Sequence, residues 1–308
     1  PLRRADQWRG TGMSGELRLI IVSGLSGSGK SVALHVLEDL GYYCIDNLPA
    51  GLLVAAVDEV RRDSNASSKL LAVGVDARNH TENLDALPDL LHELRSQGVK
   101  TDIIFLHASD EILLKRYGET RRRHPLAEQG TQLRAAIESE RAILAKIQMS
   151  ADLIVDTTRS SIYELADIIR SRVDRRDTEE LSVLIESFGF KYGIPTDADF
   201  VFDLRSLPNP YWTTELRGLT GFDEEVREFL DAQQKFSAMF DDIREFLGRW
   251  IPHYKEANRG YLTVAIGCTG GQHRSVYMTE KVAAELRNDH GTVLTRHNSL
   301  PEHRLRPD

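Results

Sequence analysis

Two short segments of this chain carry residue types whose spacing suits the holding of phosphate. The first is Gly24-Leu25-Ser26-Gly27-Ser28-Gly29-Lys30-Ser31, a complete G-x-x-x-x-G-K-[ST] pattern. Its glycines let the backbone turn several N–H groups onto phosphate oxygens. Lys30 can reach β and γ phosphates, and the Ser31 hydroxyl suits a Mg²⁺ position. The second is Cys268-Thr269-Gly270-Gly271-Gln272-His273-Arg274-Ser275. Here two glycines and a Ser/Thr-rich backbone can cup an anion, with Arg274 as a bidentate ligand. The Cys268-x₅-Arg274-Ser275 spacing also matches the nucleophile loop of cysteine-dependent phosphatases, in which a thiolate attacks phosphorus. That loop normally has His before the Cys, and Gly267 stands there. A phosphate-binding site without turnover is therefore the preferred reading.

A P-loop needs a carboxylate to hold Mg²⁺, usually at the end of a neighbouring apolar strand. Asp76, which ends Leu70–Val75, fits; Asp46, after Tyr42–Ile45, competes with it. Arg116, Arg121, Arg122 and Arg123 cluster within KRYGETRRRHP and could stabilise charge on a moving phosphoryl group. Glu138, Glu140 and Arg141 read as surface charge on an amphipathic helix. In the second half, Asp203 and Arg205 end a strand and could line the Cys268 pocket, as could His273.

Both loops need a strand before them and a helix after. Leu17–Val22 and Val32–Leu40 supply these for the first loop, Tyr261–Ile266 and Val276–Leu286 for the second. Between and around them strands alternate with helical spacings: Leu70–Val75, Leu84–Gln97, Asp102–Leu106, Ile112–Tyr117, Leu133–Gln148, Leu153–Asp156 and Ile162–Val173. Such alternation predicts a parallel sheet covered on both faces. The all-polar run DRRDTEE, residues 174–180, is the candidate linker. After it come strands at Leu181–Ile185 and Phe200–Leu204, a Pro/Gly-rich loop over 206–221, helical spacing at Glu224–Phe229 and Ile243–Trp250, and a strand at Val293–Arg296. The expected architecture is α/β throughout: an N-terminal P-loop NTPase/kinase-like parallel-sheet domain over 13–174 and a smaller C-terminal α/β domain over 181–308.

The chain has 308 residues, a net charge of −8 and two cysteines. It is long enough for two cores. Cysteine usage this sparse favours a reducing cytosol over a disulfide scaffold. No apolar run is long enough to span a bilayer, and no signal-peptide h-region is apparent. Residues 1–12 are expected to be a disordered extension or a cloning remnant. An acidic chain has no general attraction for nucleic acid, so any RNA contact needs a local basic patch. The candidate is the C-terminal tail with Arg296, Arg304 and Arg306.

Several motifs coincide with one family. GLSGSGKSVALHVLEDLGYYCIDNLP, VDARN, RYGETRRRHPL, ADLIVDTT, ESFGFKYGIP, DADFVFDLRSLPNP and AIGCTGGQHRSVYMTE resemble the RapZ/YvcJ family of bacterial P-loop nucleotide-binding proteins. The resemblance runs from about Leu17 to the end. It implies binding and slow hydrolysis of ATP and GTP, with Gly24–Ser31 for ATP and Asp76-Ala77-Arg78-Asn79 as a guanine-nucleotide motif. The residues of that second motif read equally as a Mg²⁺ and switch element of one shared site. The family includes an RNase adapter that binds small regulatory RNA, presents it to an endoribonuclease and senses glucosamine-6-phosphate in its C-terminal domain. On that analogy Cys268–Ser275 hold the sugar phosphate and the tail contacts RNA. The adapter's tail is lysine-rich, whereas this one carries three arginines and no lysine. A cytosolic homo-oligomer is expected. The rival readings are a small-molecule kinase using the P-loop with Arg116 and Arg121–Arg123, and a cysteine-dependent phosphatase at Cys268.

Overall fold

The computed structural model describes residues 17–62, 69–79, 84–120, 123–127, 132–173, 181–257, 259–290 and 292–300. The linker candidate and residues 1–12 lie outside these.

Strand β1 (Arg18–Gly24) is apolar on both faces, so it can be stable only between two layers. It forms the centre of a five-stranded parallel sheet with β2 (Tyr43–Ile45), β3 (Leu70–Gly74), β4 (Lys100–His107) and β5 (Leu153–Asp156), in the order β2-β3-β1-β4-β5. Successive β1 side chains point to opposite faces. Ile20 and Val22 meet α1 (Lys30–Asp39) and, further along the chain, the helix Ile162–Val173. Leu19 and Ile21 face the layer built by α2 (Leu53–Arg62), α3 (Leu87–Ser96) and part of the helix Leu133–Met149. Helix α4 (Asp110–Thr120) comes after β4; Leu133–Met149 is α5 and Ile162–Val173 is α6.

The second sheet repeats the principle with four parallel strands, β6 (Ser182–Gly189), β7 (Phe200–Asp203), β8 (Tyr261–Cys268) and β9 (Thr292–His297), in the order β7-β8-β6-β9. Helices α7 (Glu224–Asp231), α8 (Gln234–Glu256) and α9 (Arg274–Leu286) belong to this domain. Its core joins Val183, Ile185, Leu262 and Val264 to Phe236, Leu247 and Val282. The chain is thus two parallel-sheet α/β domains.

Two expectations change. Helix α8 runs for 23 residues rather than over Ile243–Trp250, because Phe236, Ile243, Leu247 and Ile251 form one buried stripe along it. Pro252 is tolerated inside it: Pro252 and Gly248 both lie on the exposed side, where water can satisfy the carbonyl that proline leaves unpaired. The second change concerns Arg296, expected on a basic tail. It is a buried β9 residue, directly beside Glu186 in the parallel ladder and ion-paired with it and with Asp197. A guanidinium committed to two carboxylates is not a surface for RNA. Arg304 and Arg306 lie outside the described residues. Among the described residues no helix is long and apolar enough to cross a membrane.

Candidate functional site

The Gly24–Ser31 loop joins the C-terminal end of the central strand to the first turn of α1, so its N–H groups and the helix dipole converge at the edge of the sheet. Gly29 caps the helix with φ 107°, a left-handed conformation, and any side chain there would collide with Leu165. Lys30 folds back so that Nζ donates to the Gly24 carbonyl at 2.5 Å. Burial pushes its pKa down, against the attraction of Glu140, Asp76 and Asp46. An ammonium held in this way has positive charge to offer an incoming polyphosphate. Ser31 is exposed at the start of α1.

The underside of the loop is held by residues from distant parts of the chain. Glu140 of α5, read from sequence as surface charge, is fully buried. Its carboxylate accepts the Ser26 N–H at 2.9 Å and the Ser26 hydroxyl at 2.6 Å, and meets His124 Nε2 at 3.1 Å. The signal for burial was present: Glu140 falls within the inward stripe Ile137, Leu144, Ile147. Arg141 does pair near the surface, with Asp110 at 2.6 Å. Arg116, expected to serve the moving phosphoryl group, instead donates to the Gly27 carbonyl at 3.0 Å and to the Thr157 carbonyl at 2.7 Å. It braces the loop by tying the Gly27 carbonyl to the turn after β5. Arg123 is exposed, and Arg121 and Arg122 lie outside the described residues.

Asp76 follows β3 and sits beside the P-loop, buried, with Arg78 folded over it. The Arg78 N–H donates at 2.9 Å and its guanidinium at 2.8 and 2.5 Å. Burial alone would raise the Asp76 carboxyl, but these hydrogen bonds and the nearby charges of Arg78 and Lys30 hold it below its ordinary value. Ala77 is a core residue, and Asn79 accepts the Ala50 N–H at 2.6 Å, closing the loop after β2. Of Asp76-Ala77-Arg78-Asn79, therefore, only Asp76 and Arg78 bring charge to the P-loop. Among the described residues no group of three or more His, Cys, Asp or Glu side chains could cage a metal. Asp76 and Asp46 both lie close enough to act on the Lys30 ammonium, and the next residue, Ser31, carries a hydroxyl; such hard oxygens suit a Mg²⁺ shared with bound phosphates.

In the second domain, β8 ends at Cys268 and the loop turns into α9. Cys268 Sγ lies 3.2 Å from Ser275 Oγ and accepts the Gly271 N–H at 3.2 Å. Burial pushes the thiol up; the Ser275 hydrogen bonds, Arg274 and the Gly271 N–H together bring it below its ordinary value. Arg274 is itself buried, and its Nη1 donates to the carbonyls of Leu204 (3.2 Å), Arg205 (3.3 Å) and Leu207 (2.8 Å). It pins the 204–207 loop across the cup, while Nη2 stays near Thr269 Oγ1 at 3.4 Å. His273 is buried against the Leu216 carbonyl at 3.1 Å. Further, more exposed charge comes from outside the loop. Arg205, paired with Asp203 at 2.7 Å, lines an open groove with Thr269, Lys235, Trp212 and Arg274 itself. Lys235 and Trp212 escaped the sequence reading because no spacing rule links residues so far from Cys268. At Gly267, where a phosphatase loop has His, a side chain would strike the rings of Phe188 and Phe190.

Both loops fall within segments that match known families. Residues 17–177 match the RapZ-like N-terminal domain and residues 181–301 the RapZ C-terminal domain. The chain belongs to the RapZ family. A nucleotide-binding protein of Thioalkalivibrio sulfidiphilus is 53% identical over 285 residues, covering 92% of this chain and 100% of that relative. A nucleotide-binding protein of Halorhodospira halophila is 51% identical, over 94% of this chain and 100% of its own length. A gluconokinase from Sinorhizobium meliloti overlaps 50% of this chain and 90% of its own at 18% identity, with a TM-score of 0.33, too loosely to carry an argument.

The two RapZ domains meet through specific contacts. Arg172 of α6 is 1% exposed and reaches the second sheet, donating to the Ser182 carbonyl at 3.3 Å and to Thr263 Oγ1 at 3.2 Å. Near the P-loop, Thr196 Oγ1 donates to Asp156 Oδ2 at 2.8 Å, and the Asp156 N–H donates to Asp197 Oδ2 at 3.3 Å.

Proposed function

We propose that this RapZ-family protein is a nucleotide-dependent regulator. Its first domain binds ATP or GTP with Mg²⁺ and hydrolyses it slowly, and its second binds a phosphorylated amino sugar such as glucosamine-6-phosphate. The observation that carries the first half is the P-loop itself: Lys30, under opposing carboxylate fields, sits on a helix N-terminus whose glycine geometry leaves room for phosphate oxygens. The curated relatives named as nucleotide-binding support the same reading. When bound, Mg²⁺ would neutralise charge between the phosphates, while Ser31 and Asp76 orient it. Arg116 braces the loop in place of meeting a transferred group, so regulation is favoured over a kinase that delivers phosphate elsewhere.

The second half rests on the groove where Arg205, Lys235 and Thr269 border the Cys268 loop. Two cations and a hydroxyl suit a sugar phosphate, and Trp212 offers a flat apolar face for the ring. The output is an RNase-adapter role, with small regulatory RNA and an endoribonuclease as partners. It is supported by the family alone.

Titration calorimetry with Mg-ATP, Mg-GTP and glucosamine-6-phosphate tests these readings on the intact chain. Lys30→Ala should lower nucleotide affinity about a hundredfold or more and spare the sugar phosphate; Arg205→Ala should weaken the sugar phosphate about threefold and spare the nucleotide. Lack of heat from either nucleotide with the wild type overturns the first half. Retention of a small regulatory RNA on a filter at low salt tests the output, and its absence removes the adapter role. Hydrolysis of an aryl phosphate that is lost in Cys268→Ser would favour a phosphatase instead.

A further inference from the structure

Beside the P-loop the two domains enclose a cavity of about 250 Å³ that neither phosphate cup uses. One wall comes from the turn after β5 and the first turns of α6, including Thr158 and Ile168. The other comes from the second domain, including Tyr192, Ile194, Asp197 and Asn298. We propose that this cavity receives the purine base of the P-loop's nucleotide, so that second-domain residues take part in nucleotide recognition. This rests on the nucleotide reading above and says where the base of that ligand sits.

Position is the first support. Thr157 Oγ1 donates to the Ser28 carbonyl inside the P-loop at 3.0 Å, and Arg116 bridges the Gly27 and Thr157 carbonyls. Thr158, one residue on, already lines the cavity. A nucleotide with its phosphates on Gly24–Ser31 therefore has a cavity within reach of its base and ribose.

Size and chemistry narrow the occupant. The volume falls below the roughly 300–1,000 Å³ of sites that engulf a whole drug-sized ligand, leaving room for a bicyclic ring rather than an entire nucleotide. Ile168, Ile194 and Pro195 supply apolar surface for a flat ring. Glu164, Asp167 and the Asn298 Oδ1 supply acceptors for ring N–H and exocyclic amine groups, while the Asn298 side chain also donates to buried Glu186. Arg296 lines the cavity too, but its charge is committed to Glu186 and Asp197. The remaining lining carboxylates, Asp156, Glu164 and Asp167, outnumber the other lining cation, Arg159, so the cavity opposes a second phosphate and accepts the hydrogen-bond donors of a purine edge. At the mouth, the Arg159 guanidinium of the first domain lies 5.5 Å from the centre of the Tyr192 ring of the second. A planar cation spanning the junction in this way can also cover a base.

The test uses the full chain and three ligands, Mg-ATP, Mg-GTP and Mg-tripolyphosphate, which shares the phosphates and has no base. Ile194→Ala and Asn298→Ala remove cavity contacts at solvent-accessible loop positions, and thermal melts check that both variants are folded. In the wild type, at least one nucleotide should bind more tightly than tripolyphosphate. Each variant should weaken that nucleotide about fivefold, as expected for one lost contact, and leave tripolyphosphate unchanged. Whichever nucleotide loses more in Asn298→Ala is the base that edge reads. Equal affinity for nucleotide and tripolyphosphate in the wild type, or variants that bind nucleotide as the wild type does, overturns the inference while leaving the P-loop reading standing. If none of the three ligands binds, the nucleotide reading itself fails and takes this one with it.

Discussion

The two anion cups share one construction and differ in where their positive charge resides. Each is a strand, a glycine-containing turn and a helix N-terminus at the edge of a parallel sheet. In the P-loop the motif's own cation, Lys30, is the group poised for ligand, and residues from elsewhere, Glu140 and Arg116, brace the loop from behind. In the Cys268 loop the motif's own cation, Arg274, is buried and holds three carbonyls of the facing loop. Beside Arg274, which forms part of the groove wall, the exposed cations Arg205 and Lys235 come from outside the motif. A buried arginine in a phosphate-loop pattern can thus act as a strut as well as a groove wall, with exposed cations added from other segments.

That contrast can be broken most severely at Lys30. Lys30→Ala should lower triphosphate affinity about a hundredfold or more, ~3 kcal/mol, with sugar-phosphate binding intact; calorimetry of both ligands checks this. The mirror experiment is Gly271→Ala. Gly271 has φ 72°, and a Cβ there would come within 2.6 Å of the Gly189 N and also strike Ser299. The substitution should cost the second domain about 2 kcal/mol, read as a lower denaturant midpoint for that domain, with Mg-ATP binding retained. Arg205→Ala should weaken glucosamine-6-phosphate about threefold, as expected for an exposed charge, without changing the melt; a larger loss of stability would make Arg205 a strut like Arg274.

The smallest effect is one of pH. Burial lowers the pKa of His273 in the fold, with Arg274 adding to it, while hydrogen bonds to the Leu216 and Leu219 carbonyls oppose the shift. The unfolded chain therefore takes up a proton more readily than the folded one. Stability from this group is complete above the ordinary histidine value near 6.5 and is lost as pH falls below it. Melts from pH 7.5 to 5.5 should show the decline, and His273→Gln should flatten it.

Much of the fold was legible because buried parallel strands are short apolar runs bounded by turn residues, as in Leu70–Val75 and Tyr261–Ile266. The strands and helices flanking both loops form where that patterning places them. The length of α8 was less legible, since Gly248 and Pro252 interrupt propensity and only the packing of Phe236 and Ile251 shows the helix continuing. Arg296 misled because a lone arginine near a chain end looks solvated until the ladder brings Glu186 alongside it.

By itself, the sequence determined the local chemistry: a P-loop whose glycines permit a phosphate cradle, a second cup after Tyr261–Ile266, and α/β alternation around both. Such features depend on backbone conformations and spacings that neighbouring residues dictate. Tertiary structure alone decided which charges remain available. Glu140 reaches Ser26 across 114 positions and Arg274 reaches Leu204 across 70. A charge's role is set by the groups that surround it after burial, and those groups are chosen by the packing of whole helices and strands.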